Sequence, residues 1–180
     1  MSKLLLKKEL QHLTKEQIVE VILSAYGASK EAKEYFDFFI DPNPSQLLEK
    51  YQNLIAKELS RVRLGRRSKA RISLVRKHLK KFSTFEPGTD YLLSLHIFTI
   101  NYSLLMEKTV YFSPVLFNGV KKITDDTLRI ADKQGAFAET VEKISSLIDK
   151  EVGTKYFCGI IRDTLSGYIN DPKNNAGKLR

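Results

Sequence analysis

The residues best suited to chemistry in this 180-residue chain are concentrated in one stretch, Arg61 to Lys81, which holds ten Lys and Arg residues and no acid. Both types bind phosphates and carboxylates, and the planar Arg side chain can do so through two parallel hydrogen bonds. The rest of the chain carries 20 basic and 21 acidic residues, so this stretch accounts for the whole net charge of +9. A patch of one sign on an otherwise neutral chain predicts a negatively charged partner.

Three kinds of negative group fit this stretch: an acidic partner protein, a nucleic-acid backbone, and acids from elsewhere in the fold. Nucleic acid is the less favoured partner because the stretch offers no aromatic side chain on its charged side for base stacking. We therefore predict a helical interaction module that contacts an acidic protein, with nucleic-acid binding as the alternative. The predicted binding residues are Arg61, Arg63, Arg66, Arg67, Lys69, Arg76, Lys77, Lys80 and Lys81.

A second set of polar residues, His96, Thr99, Ser103 and Glu107, recurs at three- and four-residue steps and so shares one face of a predicted helix. The favoured interpretation is a narrow solvent-facing edge on a central helix. The other is a polar seam that lines a pocket, with His96 and Glu107 as acid and base groups. Those two lie about 16 Å apart along a helix axis, too far to act on one atom. A small-molecule-binding protein or enzyme built on this seam is therefore the third hypothesis.

Other residues that could support catalysis or hold a metal are isolated. Glu9 and His12 form a Glu-x-x-His motif once, whereas a di-iron helical bundle uses that motif twice with two further carboxylates. The nine glycines form no phosphate-binding loop. Cys158 lies among apolar residues and is expected to be a small buried hydrophobe. We predict no metal and no cofactor, and a function that is binding rather than catalysis.

The elements that must position these residues are predicted to be helices throughout. Apolar residues recur with helical spacing in nearly every segment, which predicts an all-α fold of about eight or nine helices packed largely as antiparallel hairpins. We expect a single compact domain over residues 1–170 and a flexible C-terminal tail over 171–180. Thr14 with Gln17 predicts a capping box, and Pro44 the first turn of the fourth helix. The third and fourth helices are expected to form a hairpin.

The basic stretch itself divides into two parts. Its first part is predicted to be an Arg-rich turn around Gly65, and Ser68 is the expected cap of the helix that follows. Viewed down the axis of that helix, four apolar residues fall within a sector of roughly 80° of its circumference: Ile72, Val75, Leu79 and Phe82. The helix is thus expected to bury this face and expose its charges.

Composition also bounds the compartment and the partners. One cysteine cannot form an internal disulfide, which is typical of a reducing environment. The N-terminal leucine run is short, and no stretch reaches about 18 uninterrupted apolar residues. We therefore expect a cytoplasmic protein with no membrane partner, and the oligomeric state is left open.

Two stretches resemble a known family. "KEYFDFFIDPNPSQLLEKYQNLI" (Lys33 to Ile55) and "KARISLVRKHLKKF" (Lys69 to Phe82) are similar to a family of small bacterial proteins described as domain of unknown function 6155. The segment "LTKEQIVEVIL" fits as well, and the resemblance covers roughly residues 3 to 110. It implies a bacterial, all-helical protein of this size, and it implies no activity, cofactor or catalytic residue.

Overall fold

A computed structural model describes residues 2–63 and 67–171, except for the side chain of Arg63. Within these ranges the chain forms nine helices, which confirms the predicted all-α class. Their bounds are α1 Lys3–Gln11, α2 Lys15–Ala28, α3 Lys30–Ile40, α4 Pro44–Leu59, α5 Ile72–Ser83, α6 Thr89–Glu107, α7 Pro114–Lys133, α8 Phe137–Asp149 and α9 Lys155–Asn170. The helices fall into two compact units, Met1–Asn43 and Pro44–Arg180. The domain limits 1–170 and 171–180 stay predictions, and residues 172–180 lie outside the described ranges.

The first unit contains α1 to α3. Thr14 and Gln17 form the predicted capping box at the start of α2. Helix α3 packs on α2, and the Tyr26 hydroxyl donates a 2.8 Å hydrogen bond to Asp37 Oδ1 between them. No residue of these three helices is buried. This unit therefore lacks a core of its own.

The second unit contains α4 to α9 around a buried core. Helix α6 is apolar on nearly all sides, as a helix surrounded by others must be, and it packs on α4, α5, α7, α8 and α9. The predicted hairpin of the third and fourth helices would join residues of both units and stays a prediction; within the second unit, α4 packs on α5 and α6. Tyr51, Phe82, Phe112 and Phe157 are the largest fully buried side chains.

The segment before α5 differs from the prediction. Two short antiparallel strands that were not predicted, β1 (Val62–Arg63) and β2 (Arg67–Ser68), flank residues 64–66. The predicted Arg-rich turn around Gly65 lies outside the described residues. Ser68 does not cap α5, because the N-cap of that helix is Arg71. The cap oxygen comes from a distant residue: Glu58 Oε1 accepts the backbone N–H of Arg71 at 2.8 Å.

Helices α5 and α7 approach each other closely at a glycine. A Cβ placed on Gly119 of α7 would lie 2.2 Å from Cγ1 of Ile72 on α5. Only a residue without a side chain fits there, so Gly119 sets the distance between these two helices.

Candidate functional site

Helix α5 directs its charges outward because its apolar face is anchored. Val75, Leu79 and Phe82 are buried and Ile72 is half-buried, as their spacing predicts. Arg76, Lys77 and Lys80 are exposed on the remaining surface of the helix. The amphipathic pattern thus orients the cationic side chains, as it does in any surface helix.

One buried carboxylate neutralises part of the basic stretch. Glu58, at the end of α4, accepts hydrogen bonds from Arg71 Nε at 3.1 Å and from Arg61 Nη1 at 3.2 Å, besides the Arg71 backbone. Burial alone would raise the pKa of Glu58, but the hydrogen bonds from Arg71 and then Arg61 outweigh it and lower the pKa. Two of the ten basic residues therefore serve to hold the start of α5 in place.

Those of the nine predicted binding residues that the structure describes lie on different elements. Arg61, Arg63, Arg67 and Lys69 lie in or beside the two short strands, where the Lys69 N–H donates to the Arg61 carbonyl at 2.7 Å. Lys81 is half-buried on α5, and Arg66 lies outside the described residues. The other three predicted residues line a cavity: Arg76, Lys77 and Lys80.

This cavity, which we name the α5–α7 groove, has a volume of about 580 Å³ and is open to solvent at its edge. Its charged rim combines the three α5 cations with Arg129 and Lys133 of α7, against a single carboxylate, Asp126. Arg76 Nη2 donates to Asp126 Oδ2 at 3.4 Å, so that carboxylate is already paired. The remaining lining residues are Ser73, Leu79, Ser83, His96, Ile123 and Ile130.

His96 of α6 lies at the floor of the α5–α7 groove and is only 5% exposed. Its Nδ1 is 3.0 Å from Thr127 Oγ1 of α7. Burial lowers the pKa of His96 from its ordinary value of 6.5 to about 4, and the nearby Asp126 carboxylate opposes that shift only in part. His96 is consequently neutral around neutral pH.

The other members of the predicted polar seam do not lie in this groove. Thr99 and Ser103 are fully buried and donate their hydroxyl protons to carbonyls one turn earlier, at 2.8 and 2.7 Å. Glu107 lines a different cavity of about 610 Å³, and its Oε2 accepts the Thr154 N–H at the start of α9. The favoured interpretation, a solvent-facing edge of the central helix, was wrong because His96, Thr99 and Ser103 are buried between helices.

Sequence reasoning missed the α7 side of the groove. Arg129 and Lys133 are one helical turn apart, but they stand among the acids Asp125, Asp126 and Asp132, so the local charge of α7 is balanced. The only signal in the sequence is their four-residue spacing. Their role becomes visible only when α7 packs against α5.

The part of the chain that the structure describes offers neither a metal site nor a membrane-spanning helix. Among the residues described by the structure, no three His, Cys, Asp or Glu side chains are grouped closely enough to hold a metal ion. None of the helices within the described ranges has the length and apolar character needed to span a membrane. Cys158 is a buried free thiol.

The fold and the groove define the chain as an all-α protein with a cation-lined groove between two helices. Residues 1–156 match the model of a family of unknown function, DUF6155, and the chain belongs to this family. The match extends well beyond residue 110, through α8 and into the start of α9. No curated protein and no solved structure matches the chain.

Proposed function

We propose that this protein is a cytoplasmic, bacterial, non-enzymatic interaction module whose α5–α7 groove binds an acidic segment of a partner protein. The observation that carries the proposal is the charge balance of one cavity: five cations face it against one carboxylate, which Arg76 already pairs. Like charges brought this close repel one another, and an acidic ligand would relieve that repulsion.

The apolar part of the lining supports a protein segment as the ligand. Leu79, Ile123 and Ile130 also line the groove, and of these three Ile130 is the one that is not buried. An amphipathic acidic helix could place an apolar side chain against Ile130 and its carboxylates against the rim, which is a common mode of helix recognition in grooves. The described lining includes no Phe, Tyr or Trp on which a nucleotide base could stack, and the His96 ring is only 5% exposed.

A binding role is also favoured over catalysis by the state of His96. A general base works best when its pKa is close to the operating pH. With a pKa of about 4, His96 accepts a proton too weakly for that role. Its Nδ1 contacts a threonine hydroxyl rather than a carboxylate that would stabilise the protonated ring.

Nucleic-acid binding is the second candidate, and one contact favours it. The Ser68 N–H donates to the Tyr111 carbonyl at 3.0 Å, which brings the 65% exposed Tyr111 beside the exposed Arg67. Proteins that bind single-stranded nucleic acids often place an exposed aromatic side chain next to cations, because bases stack on the ring while the cations contact the phosphates. This contact supplies the aromatic side chain that the basic stretch itself lacks.

The experiment compares one charge-reversal pair in the groove with one outside it. A fluorescently labelled amphipathic peptide of Glu and Leu, a Lys and Leu counterpart and a single-stranded oligonucleotide are titrated against the full-length protein. K77E/K80E should weaken binding of the acidic peptide at least about tenfold. The control K121E/K122E changes the net charge equally at exposed positions of α7 outside the groove lining, and it should change the Kd less than about twofold.

The titrations separate the two candidates. Acidic-peptide binding that is absent, or equally affected by both variants, would overturn the groove proposal. Oligonucleotide binding that falls steeply with salt and is weakened by R67A and Y111A would favour nucleic acid instead.

A further inference from the structure

The protons around His96 can be assigned from the hydrogen bonds. The Thr127 hydroxyl has one proton and donates it to the Ile123 carbonyl at 2.6 Å. In the 3.0 Å contact between Thr127 Oγ1 and His96 Nδ1, the hydroxyl oxygen must therefore accept, and Nδ1 must carry the proton. A neutral imidazole has only one N–H. Nε2 of His96 is left as an unprotonated acceptor.

This acceptor borders the α5–α7 groove. None of the fully buried side-chain nitrogen and oxygen atoms in the described residues lacks a hydrogen-bond partner. Nε2 makes no hydrogen bond within the described residues, so it cannot be fully buried. Since His96 is 5% exposed and lines the groove, that exposed part includes Nε2.

We infer that His96 Nε2 is a specificity-determining contact, and that the acidic segment bound in the groove places a hydrogen-bond donor on it. The ligand class is thus an acidic peptide in which a hydroxyl or amide side chain, such as Thr, Ser, Tyr, Asn or Gln, stands between the carboxylates. This inference rests on the proposed function, because the rim cations must first hold the segment in the groove.

The lining explains why this one atom can discriminate between ligands. Lys and Arg only donate hydrogen bonds, and the other acceptors of the lining, on Ser73, Ser83 and Asp126, are exposed or half-buried, so that water can satisfy them. His96 Nε2 belongs to a buried residue and accepts no hydrogen bond within the described residues, so its partner has to come from the ligand. A methyl group placed there leaves Nε2 desolvated without a partner, and a carboxylate oxygen places lone pair against lone pair.

The test is a scan of the acidic host peptide in which each apolar position in turn carries Val or Thr, two side chains of nearly equal shape. Calorimetric titration of the full-length protein should show one position at which Thr binds about tenfold more tightly than Val. In H96F this preference should vanish, because the acceptor that distinguishes the two peptides is gone. Circular dichroism shows whether H96F keeps the helical fold.

A second measurement does not depend on any variant. In ¹⁵N spectra of the histidine side chains, His96 of the free protein should show one protonated nitrogen, Nδ1, and one unprotonated nitrogen, Nε2, and only Nε2 should shift when the Thr peptide binds. An Nε2 signal that carries the proton in the free protein would overturn the inference.

The outcomes of the two proposals are distinguishable. If the acidic host binds and K77E/K80E weakens it, but no Thr position is preferred over Val, the inference about His96 is wrong and the proposed function stands. If no acidic host binds in the groove, both fall together.

Discussion

Glu58 and Arg71 are joined by three hydrogen bonds: Glu58 Oε1 accepts the Arg71 backbone N–H at 2.8 Å and Nε at 3.1 Å, and Oε2 accepts Nη2 at 3.4 Å. Arg71 is the N-cap of α5, and its side chain makes no cap hydrogen bond of its own. By accepting the N–H of the N-cap residue, a carboxylate from α4 thus does for α5 what the Glu or Gln of a capping box does within one helix. The contact joins α4 to the start of the helix that carries the groove cations.

The first prediction concerns the removal of that carboxylate. E58A should lower the free energy of unfolding by about 2–3 kcal/mol, because it removes charge-assisted hydrogen bonds to Arg71 and Arg61 at a buried position. E58Q keeps the size of the side chain but loses the charge, and it should cost less. The measurement is urea-induced unfolding followed by circular dichroism.

E49Q is the matched control for this series, since Glu49 is an exposed carboxylate on the same helix. It should change the free energy of unfolding by less than about 0.5 kcal/mol. Equal effects of E58Q and E49Q would mean that the Glu58 contacts contribute nothing specific.

Local signals in the sequence were sufficient to predict most of the helices. Thr14 with Gln17 and Pro44 begin helices in the structure as predicted, since caps depend on neighbours in the sequence. The start of α5 could not be predicted in this way, because its cap oxygen comes from Glu58, thirteen residues before Arg71. The two-residue strands were missed because such short segments show no alternating pattern.

The groove was predictable only in halves. The α5 cations and His96 were both singled out from the sequence, but in separate sets, since no local pattern places α6 and α7 beside α5. The polar seam on α6 was predicted to be a solvent-facing edge because polar residues usually lie at the surface. Its Thr and Ser hydroxyls can nevertheless be buried, since they donate hydrogen bonds to carbonyls of their own helix. Tertiary packing decided which of these residues share a cavity.

The second prediction concerns acid stability. The pKa of His96 is 6.5 ordinarily and about 4 in the folded chain, so between these values the unfolded chain binds a proton that the folded chain does not. The contribution of His96 to the free energy of unfolding should therefore be complete at pH values above 6.5 and should be lost as the pH falls toward 4. Between about pH 7 and about pH 5 His96 should account for a loss of about 2 kcal/mol, which H96Q should remove.

Urea unfolding at several pH values measures this slope. His78 acts in the same direction, because burial also lowers its pKa, so H78Q should flatten the curve to a lesser degree. H12Q, at an exposed position, is the control and should leave the slope unchanged. An H96Q curve parallel to that of the wild type would contradict the burial of a neutral His96.

The third prediction concerns the spacing of α5 and α7. In a helix interior Gly to Ala usually stabilises by up to about 1 kcal/mol, and G159A on α9, with no atom within 4 Å of the added Cβ, should do so. G119A should instead destabilise by about 1–3 kcal/mol, because its Cβ would overlap Ile72.

Thermal unfolding of G119A, I72A and the double variant tests the assignment of that overlap. When Ile72 is already replaced by Ala, G119A should lower the free energy of unfolding much less than it does in the wild type. The difference is a coupling free energy of at least about 1 kcal/mol. Additive effects in this cycle would show that Gly119 is required for a reason other than Ile72.

The last prediction concerns the one carboxylate on the groove rim. D126N should release Arg76 from its 3.4 Å contact and raise the positive charge of the groove, so the acidic peptide should bind about threefold more tightly at low salt and less so at high salt. Both partners of this ion pair are about four-tenths exposed, so the free energy of unfolding should change by less than about 1 kcal/mol. D163N, which removes an exposed carboxylate of α9 outside the groove lining, is the control for net charge. An equal gain in D163N would mean that the peptide responds to the charge of the whole molecule rather than to the groove.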